Sequence, residues 1–155
     1  MESVRKFDAM LKEKESETFT IAAAVMWILV LPMVIMMTFP FEAKELGITH
    51  LMVIYIIGMA LIMYLQPYMY IKENGKVRKI YAVLEEMPVT WKDIYRVRRE
   101  YLDKFCLRTG VVFVACQLLT ALLRGKWTIF VVLHPLSVMG IVWFFGLSYI
   151  WNWRK

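Results

Sequence analysis

Residues 51–71 read LMVIYIIGMALIMYLQPYMYI, a run without a single Asp, Glu, Lys or Arg. A helix of that length, at about 1.5 Å per residue, reaches roughly 30 Å, the thickness of bilayer hydrocarbon. Working outward, the stretches 19–41, 106–123 and 127–151 share the composition: none contains Asp, Glu or Lys, and Arg108 lies at the edge of the third span. A charge at mid-membrane costs about 2.5–3.5 kcal/mol on insertion scales, so this partition of charge is itself a signal. The whole chain is 60% hydrophobic with a mean hydropathy of +0.54, above the apolar share of soluble domains. The expected fold is therefore all-α, an integral membrane four-helix bundle with a cytoplasmic helix-turn-helix insert between spans two and three. Its segments are an amphipathic N-terminal segment at 1–18, spans one and two within 19–71, the insert at 72–105, spans three and four within 106–151, and a tail at 152–155.

Aromatic residues mark the ends of these spans. Phe39 and Phe41, Tyr64, Tyr68 and Tyr70, Trp127, Tyr149, Trp151 and Trp153 fall where amphipathic rings favour the interface. About eighteen mostly polar residues precede the first apolar run, which is too long for a cleaved signal. Orientation follows from the basic residues. Four lie in the N-terminal segment, nine in the insert, Arg108 beside it and Arg154 and Lys155 in the tail, against Lys44, Arg124 and Lys126 in the other loops. The excess places both termini and the insert inside, in a multi-pass membrane protein. The net charge of +6 is a consequence of that bias and of proximity to anionic lipid, and nucleic acid is not an expected partner.

Within the first segment Val4, Phe7, Met10 and Leu11 recur at helical spacing, either as a helix on the membrane surface or as a frayed extension. Pro32 predicts a kink in span one and Gln66-Pro67 a bend at the end of span two. Arg124-Gly125-Lys126 is so short a connection that spans three and four must be antiparallel neighbours. Span four is either one straight helix or a re-entrant segment broken at His134-Pro135.

In the insert, Asn74-Gly75 is a turn or a helix start. Val77, Ile80, Tyr81, Leu84 and Met87 follow at i, i+3, i+4, i+7 and predict a helix over 76–87. Pro88 ends it. Thr90 and Asp93 have capping-box spacing, so a second helix starts at about Trp91 and runs to 105. Ile94, Tyr95, Tyr101, Leu102 and Phe105 form its apolar side. The resulting turn, Met87, Pro88, Val89, Thr90, Trp91, Lys92, Asp93 and Ile94, is either a device for passing motion to the membrane or the tip of a hairpin lying on lipid.

That turn resembles the first intracellular loop of bacterial ABC-2 type exporter permeases, which often reads Leu-Pro-Val-Ser followed by a basic, an acidic and an aliphatic position. The resemblance implies a coupling helix seated in a cleft of a separate cytoplasmic ATPase, with ATP and Mg on that partner and no cofactor in this chain. It also implies a bacterial plasma-membrane location, a surface helix before span one, and an assembly with further copies or a second membrane subunit. Arg96, Arg98 and Arg99 would pair with the ATPase or with membrane lipid. Family members have six spans, and this chain has four. Its Gln66, Gln117, Thr120, His134 and Ser137 are the candidates for polar contacts inside the membrane, foremost as interhelical hydrogen bonders. The expected function is that of the permease subunit moving an amphipathic or hydrophobic substrate. The alternative is a non-transporting accessory or regulatory subunit that binds a cytoplasmic partner.

Catalysis has no support in the sequence. There is no G-x-x-x-x-G-K-[ST], no G-x-S-x-G and no His-Glu-x-x-His, and no carboxylate falls within a span as a proton-coupled antiporter requires. His50 and His134 stand apart in sequence and suggest no metal site. Glu85-Glu86 lacks the following arginine of a paired-glutamate intramembrane protease, Thr90 standing in its place. Cys106 and Cys116 are too far apart along one helix to form a bridge.

Overall fold

The long helices are apolar on their outward as well as their inward faces. Val53, Ile57, Leu61 and Leu65 form a buried i, i+4 stripe, yet Leu51, Tyr55, Met59 and Ile62 on the same helix are exposed. A stripe of this kind selects the packing face, and the apolar remainder requires an apolar surrounding. The computed structural model describes residues 2–13, 25, 31–37, 46–73, 76–84 and 89–152. Its elements are α1 (Glu2–Glu13), α2 (Leu31–Met37), α3 (Leu46–Leu65), a 3-10 turn (Gln66–Tyr68), β1 (Tyr70–Glu73), β2 (Lys76–Lys79), α4 (Ile80–Leu84), α5 (Trp91–Arg124) and α6 (Phe130–Asn152). The chain is predominantly helical, and three helices, the segment around α3, α5 and α6, are long and apolar enough to cross a membrane. Of the expected span one only residue 25 and α2 are described; Pro32 is the second residue of α2, and the turn before it, across which a kink is read, lies outside the described residues with most of that span.

α5 and α6 form the main antiparallel pair, with α3 against α6 and α2 against both α3 and α5. They are joined by a tight connection. Gly125 adopts the left-handed conformation at φ 63°, its N–H donates to the Leu122 carbonyl at 3.3 Å, and the Lys126 N–H donates to that of Ala121 at 3.1 Å. This double bond pattern ends the helix at the glycine, as the short Arg-Gly-Lys connection implied. α6 is continuous through Pro135, so the re-entrant alternative falls away. The Ser137 hydroxyl donates to the His134 carbonyl at 3.0 Å, a local bond beside the proline.

Gly146 is a point of close approach between α6 and its neighbours. A Cβ there would lie 2.5 Å from a methyl of Leu102 and 3.1 Å from one of Leu61. Both leucines are buried, so their methyls have little room to yield. Gly146→Ala is expected to destabilise the bundle by about 1–3 kcal/mol, the usual range for overpacking. Denaturation in detergent micelles reads this directly, and Gly140→Ala, which meets open space, is the control.

Two expectations for the insert are corrected. The helix predicted over 76–87 is replaced at its start by a strand. β1 and β2 pair antiparallel with Glu73 opposite Lys76 and Tyr70 opposite Lys79, and the Ile80 N–H donates to the Met69 carbonyl at 2.9 Å. Among the described residues of 76–87, Ile80–Leu84 is helical, held by the buried Ile80 and Leu84. The spacing of 77, 80, 81 and 84 mimics a longer helix because three of its apolar positions belong to the short α4, which starts directly after the strand. The 3-10 turn at Gln66-Pro67 is the expected bend. Secondly, residue 105 is no boundary: the second insert helix and the third apolar stretch are one helix of 34 residues, roughly 50 Å long.

Candidate functional site

Thr90 begins α5 in an extended conformation, and its hydroxyl oxygen accepts from the Asp93 N–H at 3.3 Å. Its hydroxyl also donates to the Asp93 carboxylate at 2.7 Å. That hydroxyl bond is the main reason the Asp93 carboxyl lies below its ordinary pKa. The capping spacing in the sequence is thus a real cap. The N-terminal half of the turn, Met87 and Pro88, lies outside the described residues, as does 85–86. Val89 packs against the core, Ile94 is buried within it, and Lys92 is exposed.

Aromatic contacts fix the start of α5 to its surroundings. Trp91 meets Tyr81 of α4 edge-to-face at 5.2 Å, and Tyr95 meets Trp151 near the end of α6 at 6.1 Å. Thr90→Ala is expected to cost about 0.5–2 kcal/mol through loss of the cap. Because the Asp93 carboxyl is depressed in the folded state, its contribution is present above the ordinary carboxylate range and is lost as pH falls through and below it. Hydrogen exchange at the first turn of α5 should therefore rise in Thr90→Ala at neutral pH, and in the parent protein only under acid.

The three arginines expected to serve a partner separate sharply. Arg98 is 0% exposed and forms a bidentate ion pair with Asp8 of α1, which is 2% exposed. The two bonds are 2.5 Å (Nη1 to Oδ2) and 2.9 Å (Nη2 to Oδ1). The Tyr101 hydroxyl donates to Asp8 Oδ2 at 3.0 Å, and the guanidinium lies 5.6 Å from the Tyr68 ring centre and 5.7 Å from that of Tyr101. Burial first, and then the Asp8 charge, push the Tyr101 phenol pKa up, which keeps it a donor. Arg98 is therefore withdrawn from any partner or lipid role. Its partner Asp8 escaped sequence reasoning; with Val4 also buried in the core, α1 is docked on the bundle, which decides against the frayed extension that the sequence left open.

Arg99 has a mixed role. It lies 3.8 Å from Asp103 and stacks over Trp143 at 6.0 Å, while the Trp143 indole donates to Asp103 at 2.7 Å. Arg96 is exposed. Arg5, Arg96, Arg99, Glu100 and Asp103 line a shallow depression of about 280 Å³. Glu100 takes a hydrogen bond from Lys104 at 2.9 Å and one from Arg5 at 2.5 Å, and these two bonds, the Lys104 one foremost, hold its carboxyl below the ordinary range.

The polar residues expected inside the membrane also divide. Gln66 is the exposed first residue of the 3-10 turn. Thr120 bonds its own helix at the Cys116 carbonyl, 2.8 Å away. Gln117 and His134 are joined across α5 and α6, amide nitrogen to Nδ1 at 3.0 Å. His50, which looked solitary in the sequence, brings its ring to 5.1 Å from that of His134. His50 Nδ1, His134 Nε2 and Gln117 Oε1 are buried without a hydrogen-bond partner, and each such group costs about 1–3 kcal/mol. Two apolar cavities open on the long helices, about 440 Å³ beside Gly58 and Gly146 and about 540 Å³ beside Gly110 and Leu136. None of Gln66, Gln117, Thr120, His134 or Ser137 lines either.

Comparison of the chain with family models, curated proteins and solved structures finds no match.

Proposed function

We propose that the chain is the membrane subunit of an ABC-type exporter, with the turn at 87–94 as the seat of a separate cytoplasmic ATPase. The observation that carries this reading is the continuity of α5. Its capped N-terminus is at the turn, and the same uninterrupted helix runs into an apolar segment packed along α6. A rigid helix moves as a body, so a push at Thr90–Ile94 displaces the bundle without loss in a hinge. ATP and Mg belong to the partner; the excess of Lys and Arg around the insert supports an inner-side position for it, and a bacterial plasma membrane is what the resemblance to ABC-2 type permeases implies. Lys92, Arg96 and the turn itself offer the contacts, while the apolar cavities suit an amphipathic or hydrophobic substrate shared with further copies or a second membrane subunit.

The second reading, an accessory subunit that docks the same partner without lining a path, is favoured by one observation. Of the five polar residues singled out from the sequence, Gln117, Thr120, His134 and Ser137 bond within the bundle, and none of the five lines either of the two apolar cavities. Both readings require the turn inside. Cysteine at Lys92 is expected to react with a membrane-impermeant thiol reagent only in inside-out vesicles, and reaction in intact cells overturns the orientation. Purification in mild detergent from the native host then separates docking from its absence, and substrate-stimulated ATP hydrolysis in the reconstituted complex separates transport from an accessory role.

A further inference from the structure

We infer that His50 and His134 form a site for a divalent late first-row metal ion of the zinc class, bridging α3 and α6 with Gln117 of α5 as the supporting residue. The two imidazoles come from positions 84 residues apart in the sequence, and the fold brings their ring centres to 5.1 Å with the rings tilted by 39°. Imidazoles sharing one tetrahedral ion at about 2.0–2.1 Å from each nitrogen place their centres about 5 Å apart. Each ring keeps one buried nitrogen without a partner, Nδ1 of His50 and Nε2 of His134. His134 is 1% exposed and Gln117 0% exposed, while His50 is half-buried, so the pair is open from the His50 side.

The tautomer required is available. A ligating imidazole as a rule donates its other ring N–H to an oxygen, which fixes the ring and raises its basicity. The Gln117 amide lies 3.0 Å from His134 Nδ1, and exchanging the amide's nitrogen and oxygen keeps every heavy atom in place. In that orientation the amide oxygen accepts from Nδ1–H, and Nε2 presents its lone pair. The edge of Phe113, 5.3 Å from His134 between ring centres, bounds one side with an apolar wall. Among the described residues no group of three His, Cys, Asp or Glu converges here, so water completes the coordination. Imidazole donors suit zinc, copper and nickel and disfavour magnesium or calcium.

The test is titration of the purified full-length protein in detergent with Zn²⁺ alone, followed by calorimetry. The expected result is one ion per chain, unchanged in a Cys106→Ser/Cys116→Ser variant and lost in His50→Ala and in His134→Ala. Gln117→Leu should weaken binding about 10–100-fold, the usual effect of removing an outer-shell partner. Unfolding midpoints without zinc verify that the variants fold, and His50→Gln replaces His50→Ala if the latter does not. Copper(II) in place of zinc should show nitrogen hyperfine structure from two imidazoles in its electron paramagnetic resonance spectrum. Absence of stoichiometric binding, or binding that survives both histidine replacements, overturns the site.

Discussion

Alanine at position 8 is expected to lower the unfolding free energy by about 3–5 kcal/mol, the cost of leaving a buried charge without its partner. At roughly 2–4 °C per kcal/mol for a chain of this size, the midpoint falls by roughly 6–20 °C. The reason is the geometry around Arg98. It is wholly buried, and its paired oxygens and the Tyr101 bond all come from or converge on Asp8. Removal of the carboxylate leaves the guanidinium between two tyrosine rings with no anion. The protein can escape part of the cost by releasing α1 and admitting water, so hydrogen exchange along 2–13 should accelerate in the same variant. Asp8→Leu combined with Arg98→Met separates charge from packing. Replacing a buried pair by apolar side chains of similar volume is often neutral, so the double variant should recover most of the midpoint. A double variant as unstable as Asp8→Ala, with exchange unchanged in α1, would show that the pair is not what holds the helix.

Reversing Lys92 to glutamate is expected to reduce ATPase co-purification and stimulated hydrolysis by about tenfold or more. A charge reversal removes one attraction and adds one repulsion, and like charges facing each other across an interface cost several kcal/mol. Tenfold in affinity needs only about 1.4 kcal/mol. Lys92 is exposed one residue beyond the start of α5, so the change should leave stability and membrane insertion intact. The expected pattern is normal yield, normal unfolding and a lost partner, with recovery when an acidic residue on the ATPase surface is made basic. Unaltered co-purification and hydrolysis would remove the docking proposal while leaving the fold untouched.

Much of the architecture was legible because it is written locally. The long apolar runs, the Thr90 cap and the glycine that ends α5 each depend on residues within a few positions of one another. The hairpin was half legible. Asn74-Gly75 is the commonest two-residue hairpin connection, but the apolar positions after it also satisfy a helical period. What decides between them is pairing with the strand at 70–73, which the spacing of apolar residues at 77–84 does not register. The Asp8–Arg98 pair, the Asp103–Trp143 bond and the meeting of His50 with His134 were illegible for a different reason. Each joins positions forty or more residues apart, and nothing in the flanking sequence of either partner names the other. The division of the three arginines followed from the same blindness, since Arg96, Arg98 and Arg99 look alike until the neighbouring helix is in place.

The pair between α1 and α5 also has a temporal side. Asp8 is made ninety residues before Arg98, which at about 5–20 residues per second is roughly 5–20 s of synthesis. Throughout that interval the first helix holds an acidic group whose buried counterpart does not yet exist, leaving water and the basic side chains of its own helix to solvate it. The helix therefore waits in contact with water while the following segments enter the bilayer, and it closes onto the bundle only after the start of α5 has left the ribosome. Latching of the amino terminus thus becomes a late checkpoint in assembly, one that a chain stalled before residue 98 never passes.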